Sequence, residues 1–171
     1  LFYIPAMIIW TIVAGNKCIA QIQVDKYILK INSAQGLSHN VVNDVKQDDE
    51  GFIWVATQDG LNRYDGYKFK VFRFDPEDST SISDNYIKSI YYDHKKNLWI
   101  STRYGLNLYN PADDNFHRFR FGTGGELDIT KIAGSRDGGL WICNYLGGVY
   151  YFNTSENTFR QIIPNEQSQE P

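Results

Sequence analysis

The sequence predicts an all-β chain built of β-propeller blades, and three observations carry that reading. One segment occurs three times, its tryptophans (Trp54, Trp99 and Trp141) stand 45 and 42 residues apart, and each copy has room for four short strands. A self-similar period in the low forties, with a Trp in the second strand, is the pattern of four-stranded antiparallel blades. The copies align closely around the tryptophans. Val42, Ile87 and Ile129 precede them by twelve residues, Val45, Ile90 and Ile132 by nine, and Ile53, Leu98 and Leu140 by one. Gly60, Gly105 and Gly147 follow them by six.

The elements follow in order within each copy. The first strand is "VVNDVKQ", "YIKSIYY" or "ITKIAGS", and a polar turn, "DDEG", "DHKKN" or "RDGG", ends it. The second is "FIWVAT", "LWIST" or "LWICN". A tight turn around the glycines, which supply positive φ, leads to the third strand, "LNRYD", "LNLYN" or "VYYFN". Turns such as "DG" and "NP" connect to an outer aromatic strand, "YKFKVFRF", "FHRFRF" or "TFRQII". No helical period survives these turns. The 15% content of Phe, Trp and Tyr suits strands, whose pleated surfaces pack flat rings well. The tryptophans are expected to face the neighbouring sheet. Ala56, Ser101 and Cys143, two residues after each, are small, so sheets are expected to approach closely there, with Cys143 as a core filler.

Residues 1–20 differ from the rest. "LFYIPAMIIWTIVAG" is apolar and uncharged and ends near the small residues Cys18 and Ala20, so it resembles a secretory signal segment; an uncleaved anchor is the alternative. Removing it leaves Cys143 alone, which excludes an internal disulfide, and no Cys/His cluster has metal-ligand spacing. No cofactor is expected. The net charge of −3, with Lys and Arg scattered, argues against nucleic-acid binding.

"GLSHNVVNDVKQDDEGFIWVATQDGLNRYDGYKFKVF" closely resembles the two-component regulator propeller repeats of bacterial hybrid sensor histidine kinases. The specific part is "GLSHN" followed by D-x-x-G-x-[IL]-W-[IV]-[AS]-T-x-x-G-L-x-x-Y. The third copy departs from it: Asn144 replaces Thr57 and Thr102, and a Gly is inserted. The resemblance implies an outer, ring-closing strand at "KYILKI" (26–31) within 21–35, then blades over 36–80, 81–122 and 123–171. Three blades do not close a propeller, which needs at least four. The expectation is therefore the first part of a longer receptor, with kinase, receiver and DNA-binding parts beyond residue 171.

Chemistry within the chain is expected to be binding rather than catalysis. His39, His94 and His117 lie off any helical stretch of the kind that carries phosphorylated histidines. The carboxylates cluster in turns, where turn chemistry explains them. The turns after the second strand vary while their frames repeat, giving the candidate ligand residues Gln58, Asp59, Arg103, Tyr104, Asn144 and Tyr145. Such groups suit hydroxyl-rich or anionic ligands. The resemblance implies a periplasmic sensor for oligosaccharides from glycan breakdown. Its further partners are the rest of the propeller and a second receptor copy, and it meets the membrane only through a downstream helix. An exported protein-binding scaffold, or a propeller lyase or glycosidase, is the alternative.

Overall fold

The computed structural model describes residues 30–120 and 127–164. After a short 3-10 turn, Ser33–Gln35, twelve strands follow. The first sheet holds β1 (Val42–Gln47), β2 (Ile53–Thr57), β3 (Gly60–Tyr64) and β4 (Phe69–Phe72). The second holds β5 (Ile87–Tyr92), β6 (Leu98–Thr102), β7 (Gly105–Asn110) and β8 (Asn115–Phe119). The third holds β9 (Ile129–Gly134), β10 (Leu140–Asn144), β11 (Val149–Asn153) and β12 (Thr158–Ile163). Each is an antiparallel meander whose strands lie in chain order. These are the four-stranded units read from the sequence, and among the described residues they form no closed ring. The export segment and residues 26–29 of the outer strand lie outside the described residues. Lys30 and Ile31 carry no strand.

Period 2 gives every strand two faces, and at each seam the facing sides of two sheets meet. Trp54 packs edge-on against Tyr109 of the second sheet at 4.8 Å between ring centroids, and Phe72 meets Phe116 at 5.4 Å. One seam later, Trp99 packs on Phe152 of the third sheet at 5.8 Å, and Phe119 lies 5.1 Å from the same ring. Two cores result, one per seam. Each indole N–H also needs an acceptor once buried. Asp48 supplies one to Trp54 at 2.7 Å and Asp93 one to Trp99 at 3.0 Å, each from six residues upstream in the preceding turn. The same carboxylates accept backbone N–H groups of their turns. Burial opposes ionisation of Asp93, but the bonds from Trp99, Asn97 and Lys95 outweigh it and hold its pKa below the ordinary value.

The outermost faces correct the expectation for the third copy. Trp54 and Trp99 are 1% and 2% exposed, but Trp141 is 38% exposed, and Cys143 is exposed rather than a core filler. No fourth sheet covers that side of β10 among the described residues, whereas Ala56 and Ser101 are fully buried at their seams. The opposite face of the first sheet mirrors this. Val45 is 50% exposed where its counterparts Ile90 and Ile132 are 1% and 3%. Among the described residues, no further sheet covers either outer face.

Two backbone features place the loops. Gly60 and Gly105 have φ of 122° and 119°, and a Cβ there would come within 2.9 and 2.7 Å of the carbonyl oxygens of Phe72 and Phe119. Glycine is thus required both for conformation and for the close pass of the fourth strand. The first strand of every sheet also carries a bulge at one position, Asn43, Lys88 or Thr130, where the pairing register slips. A bulge re-aims the extra side chain. It does so at the strand end nearest the turn between the second and third strands.

Trp99→Ala is expected to lower the stability of the chain by about 3–5 kcal/mol, the range for large aromatic truncations in cores. Trp141→Ala, on an uncovered face, should cost less than about 1 kcal/mol. Urea denaturation of the two variants checks this, and equal losses would contradict the described packing.

The Asp93 carboxylate makes a second expectation. A folded-state pKa below the unfolded value of 3.8 means that its stabilisation is complete above that pH and is lost as pH falls through the lower folded value. Asp93→Asn should therefore be less stable than the parent at neutral pH and lose less stability on acidification below about pH 4. Denaturation midpoints measured against pH test it, and parallel profiles would count against the bond.

Candidate functional site

The meander places two kinds of loop at one end of every sheet: the turn between the second and third strands, and the segment leading into the first strand. Backbone bonds tie them together, both across a seam and within one sheet. Gly60 N–H donates to the Asn85 carbonyl at 2.7 Å, and Tyr145 N–H donates to the Asp128 carbonyl at 2.8 Å. The first bond holds its turn against the segment leading into the next sheet, and the second holds its turn against the segment leading into the same sheet.

Three of the six residues singled out in these turns converge. Gln58 donates through Nε2 to the Tyr86 hydroxyl at 3.3 Å, and the Arg103 guanidinium lies 5.8 Å from the centre of the Tyr86 ring. Lys88 Nζ sits 5.7 Å from both the Tyr86 and Tyr145 rings and pairs with the Asp128 carboxylate. The bulge in β5 accounts for this placement, since Lys88 is the extra residue there. The result is a patch with two phenol rings, an amide, a guanidinium and an ammonium–carboxylate pair, drawn from all three sheets. Among the described residues, Arg103 has no carboxylate partner and keeps its donors available.

The other three do different work. Asp59 pairs with Arg73 of its own sheet at 3.0 Å. Tyr104 is exposed, and its backbone N–H donates to Thr102 Oγ1 at 3.1 Å. Asn144 is buried and accepts the Gly148 N–H at 2.6 Å through Oδ1. It thus closes its turn as Thr57 and Thr102 close theirs by bonding the Gly60 and Gly105 carbonyls. Asn144 is the third copy's structural substitute at this position, its longer side chain spanning a turn widened by the inserted glycine.

Tyr86, Lys88 and Asp128 escaped the sequence reading, although a signal for them exists. The position of Tyr86 holds Val41 and Asp128 in the other copies, and that of Lys88 holds Asn43 and Thr130. The test that picked out the turns, variation inside a repeating frame, identifies these positions when applied before the first strand.

Beside the patch, Asp44 of β1 fastens the inner strands of three sheets. Its Oδ2 accepts Ser89 Oγ at 3.1 Å, Ile90 N–H at 3.0 Å and Lys131 Nζ at 3.3 Å. Asp44, Ser89 and Lys131 occupy the same position in the three copies. Burial works against the Asp44 charge, but these donors prevail and hold its pKa below the usual carboxylate value.

The patch offers stacking faces and hydrogen-bonding groups, the equipment of a binding site. The histidines lie elsewhere. His39 Nδ1 accepts the Val41 N–H at 3.1 Å, His94 stands exposed in the turn after β5, and His117 packs on Phe119 at 4.6 Å. Among the described residues, no group of three or more His, Cys, Asp or Glu could hold a metal ion. No helix among them is long and apolar enough to cross a membrane.

Residues 36–59 and 81–104 match the two component regulator propeller family. A histidine kinase, P4, from Formosa agariphila is 57% identical over 47 residues, which cover 28% of this chain and 3% of that protein. The extracellular domain of a putative hybrid two component system from B. thetaiotaomicron superposes with a TM-score of 0.72 at 30% identity, over 84% of this chain and 21% of that one. Virginiamycin B lyase from Staphylococcus aureus shares the fold alone, at 16% identity and a TM-score of 0.57, over 75% of this chain and 43% of the lyase. The chain thus spans a small part of the curated protein it matches and about a fifth of the B. thetaiotaomicron structure.

Asn144→Ala should destabilise the chain by about 1–3 kcal/mol, because it strips a buried N–H of its acceptor. Tyr145→Ala, one residue on and exposed, should stay within about 0.5 kcal/mol. Thermal or urea unfolding of both variants gives the comparison. A neutral Asn144→Ala would show that the turn closes without it.

Proposed function

We propose that this chain, which carries two-component regulator propeller repeats over residues 36–59 and 81–104, belongs to the sensing propeller of a hybrid two-component receptor. The observation that carries the reading is the likeness to the B. thetaiotaomicron extracellular domain, which covers 84% of this chain rather than the repeat motif alone. On this reading the chain works outside the cytoplasm, in the periplasm. The kinase that receives its signal is joined to it through a membrane helix.

The ligand site is the patch around Tyr86, and the ligand is an oligosaccharide released by glycan breakdown. The chemistry supports that class. Tyr86 and Tyr145 present ring faces to a sugar, while Gln58 and Arg103 present donors to its hydroxyl or carboxylate oxygens. Asp59, Tyr104 and Asn144 stand at the margin of this site and do not form it. No bond is made or broken in this segment. Because the patch draws on three sheets, a ligand held there favours one arrangement of the sheets over others. The resulting change, within the ring or at the contact between two receptor copies, is what the kinase reads.

The test is a Tyr86→Ala/Arg103→Ala double variant in the full-length receptor, assayed for transcriptional output across a panel of oligosaccharides. Output should fall at every dose of the activating sugar, while the thermal midpoint stays within about 2–4 °C. Normal output at all doses would place the site on other blades or another domain.

A further inference from the structure

The repeat lets the two seams be compared position for position, and their outer edges differ. At the first seam, Arg63 of β3 donates to the Tyr109 hydroxyl at 2.6 Å and to Asp114 at 3.1 Å. Lys70 of β4 pairs with the same carboxylate. The Arg63 guanidinium also lies over the rings of Phe52, Trp54 and Phe72, at 4.9, 5.5 and 5.8 Å from their centres. This clamp joins the third and fourth strands of the first sheet to β7 and the turn before β8.

At the second seam every member of the clamp is replaced. Leu108 stands opposite Trp99 where Arg63 stands opposite Trp54, and His117 pairs with Leu108 where Lys70 pairs with Arg63. Phe152, which has no hydroxyl, takes the place of Tyr109, and neutral Asn157 takes the place of Asp114. Asp114 and Asn157 have φ of 54° and 55°, so the backbone repeats and the side chain alone has changed. With no acid among the four, no ion pair can form between them. The polar ties of the third sheet lie instead at the inner edge. Lys88 of β5 pairs with Asp128, just before β9, and Lys131 of β9 reaches the Asp44 carboxylate of the first sheet at 3.3 Å. Farther out, the second and third sheets meet through rings, with Trp99 and Phe119 both on Phe152. Apolar contact is non-directional and tolerates sliding, whereas a guanidinium fork fixes the position of what it holds.

We propose that the second seam is the moving joint of the sensor: the third sheet swings about its inner edge while the first two sheets move as one body. The proposal rests on the reading of the Tyr86 patch as the ligand site, because the latch of the joint lies in that patch. Lys88 holds Asp128 and sits 5.7 Å from the Tyr145 ring, both belonging to the third sheet's loops, and equally far from the Tyr86 ring of the second. A ligand stacked on both rings shares this space with Lys88. Its preference for one arrangement therefore acts on the second seam before the first.

Native-state hydrogen exchange of the full chain, without ligand, tests the joint. The first and third sheets each have one outer face uncovered among the described residues, so a difference between them reports on the seams. Amides of β9–β12 should open together about three- to tenfold more often than those of β1–β4. Asp114→Asn, which gives the first seam the side chain of the second, should raise opening in β1–β4 and narrow that difference. Leu108→Arg/Asn157→Asp, which builds a clamp into the second seam, should lower opening in β9–β12. In the full-length receptor this double variant should respond less to whichever oligosaccharide of the panel activates the parent. Equal opening of the two end sheets, unchanged exchange in Asp114→Asn, or a normal response from the clamped receptor would each overturn the proposal. A normal response from the Tyr86→Ala/Arg103→Ala receptor would instead overturn the ligand site, and the joint would stand or fall on the exchange data.

Discussion

Everything in this chain rests on a tryptophan in the second strand of one sheet burying its ring against the next sheet. An isolated four-stranded sheet has two faces and no way to bury both. Stacking on a neighbour solves the problem once per seam, and a buried indole of about 200 Å² contributes about 5 kcal/mol by area alone. That contribution is realised only if the indole N–H keeps a partner, and Asp48 and Asp93 provide one. The turn acids that recur six residues before Trp54 and Trp99 are thus part of the core, although they sit in a polar turn. In the third copy Ser135 takes the place of that acid, and Trp141 lies on an uncovered face.

The seams also determine where chemistry can collect. Once sheets stack, the loops of one end are brought together and bonded across seams, Gly60 to Asn85 and Lys88 to Asp128. Residues from three copies, far apart in the chain, then share the patch around Tyr86. The bulge that recurs in the first strand of each sheet re-aims one residue per copy, and the three copies use it differently. Asn43 bonds the Ile87 carbonyl across the seam, Thr130 bonds the Cys143 carbonyl within its own sheet, and Lys88 enters the patch. A constant backbone device thus carries a variable side chain. The backbone stays uniform while the side chains at this position diverge.

That division explains what the sequence made legible. Strand positions, the pairing of the seams and the glycines of the turns follow from repetition, because packing imposes the same residue types each time. The patch was half legible. Gln58, Arg103 and Tyr145 showed themselves as variation inside a frame, but Asn144 varied for a structural reason and Asp59 pairs with Arg73 of its own sheet. Lys88 was hidden because a bulge leaves no mark in the strand pattern. Cys143 and Trp141 were misjudged for a different reason. Alignment to the buried Ser101 and Trp99 assumes a neighbour, and a neighbour is a property of the assembly rather than of the strand.

The central claim is that Trp54 and Trp99 each reach across to the following sheet, and nuclear Overhauser contacts from the indole protons test it most directly. Trp54 should show cross-peaks to the Tyr109 ring, whose centroid lies 4.8 Å away, and Trp99 should show them to the Phe152 ring at 5.8 Å. Contacts confined to residues of the tryptophan's own sheet would contradict the stacking, and with it the site that the stacking assembles.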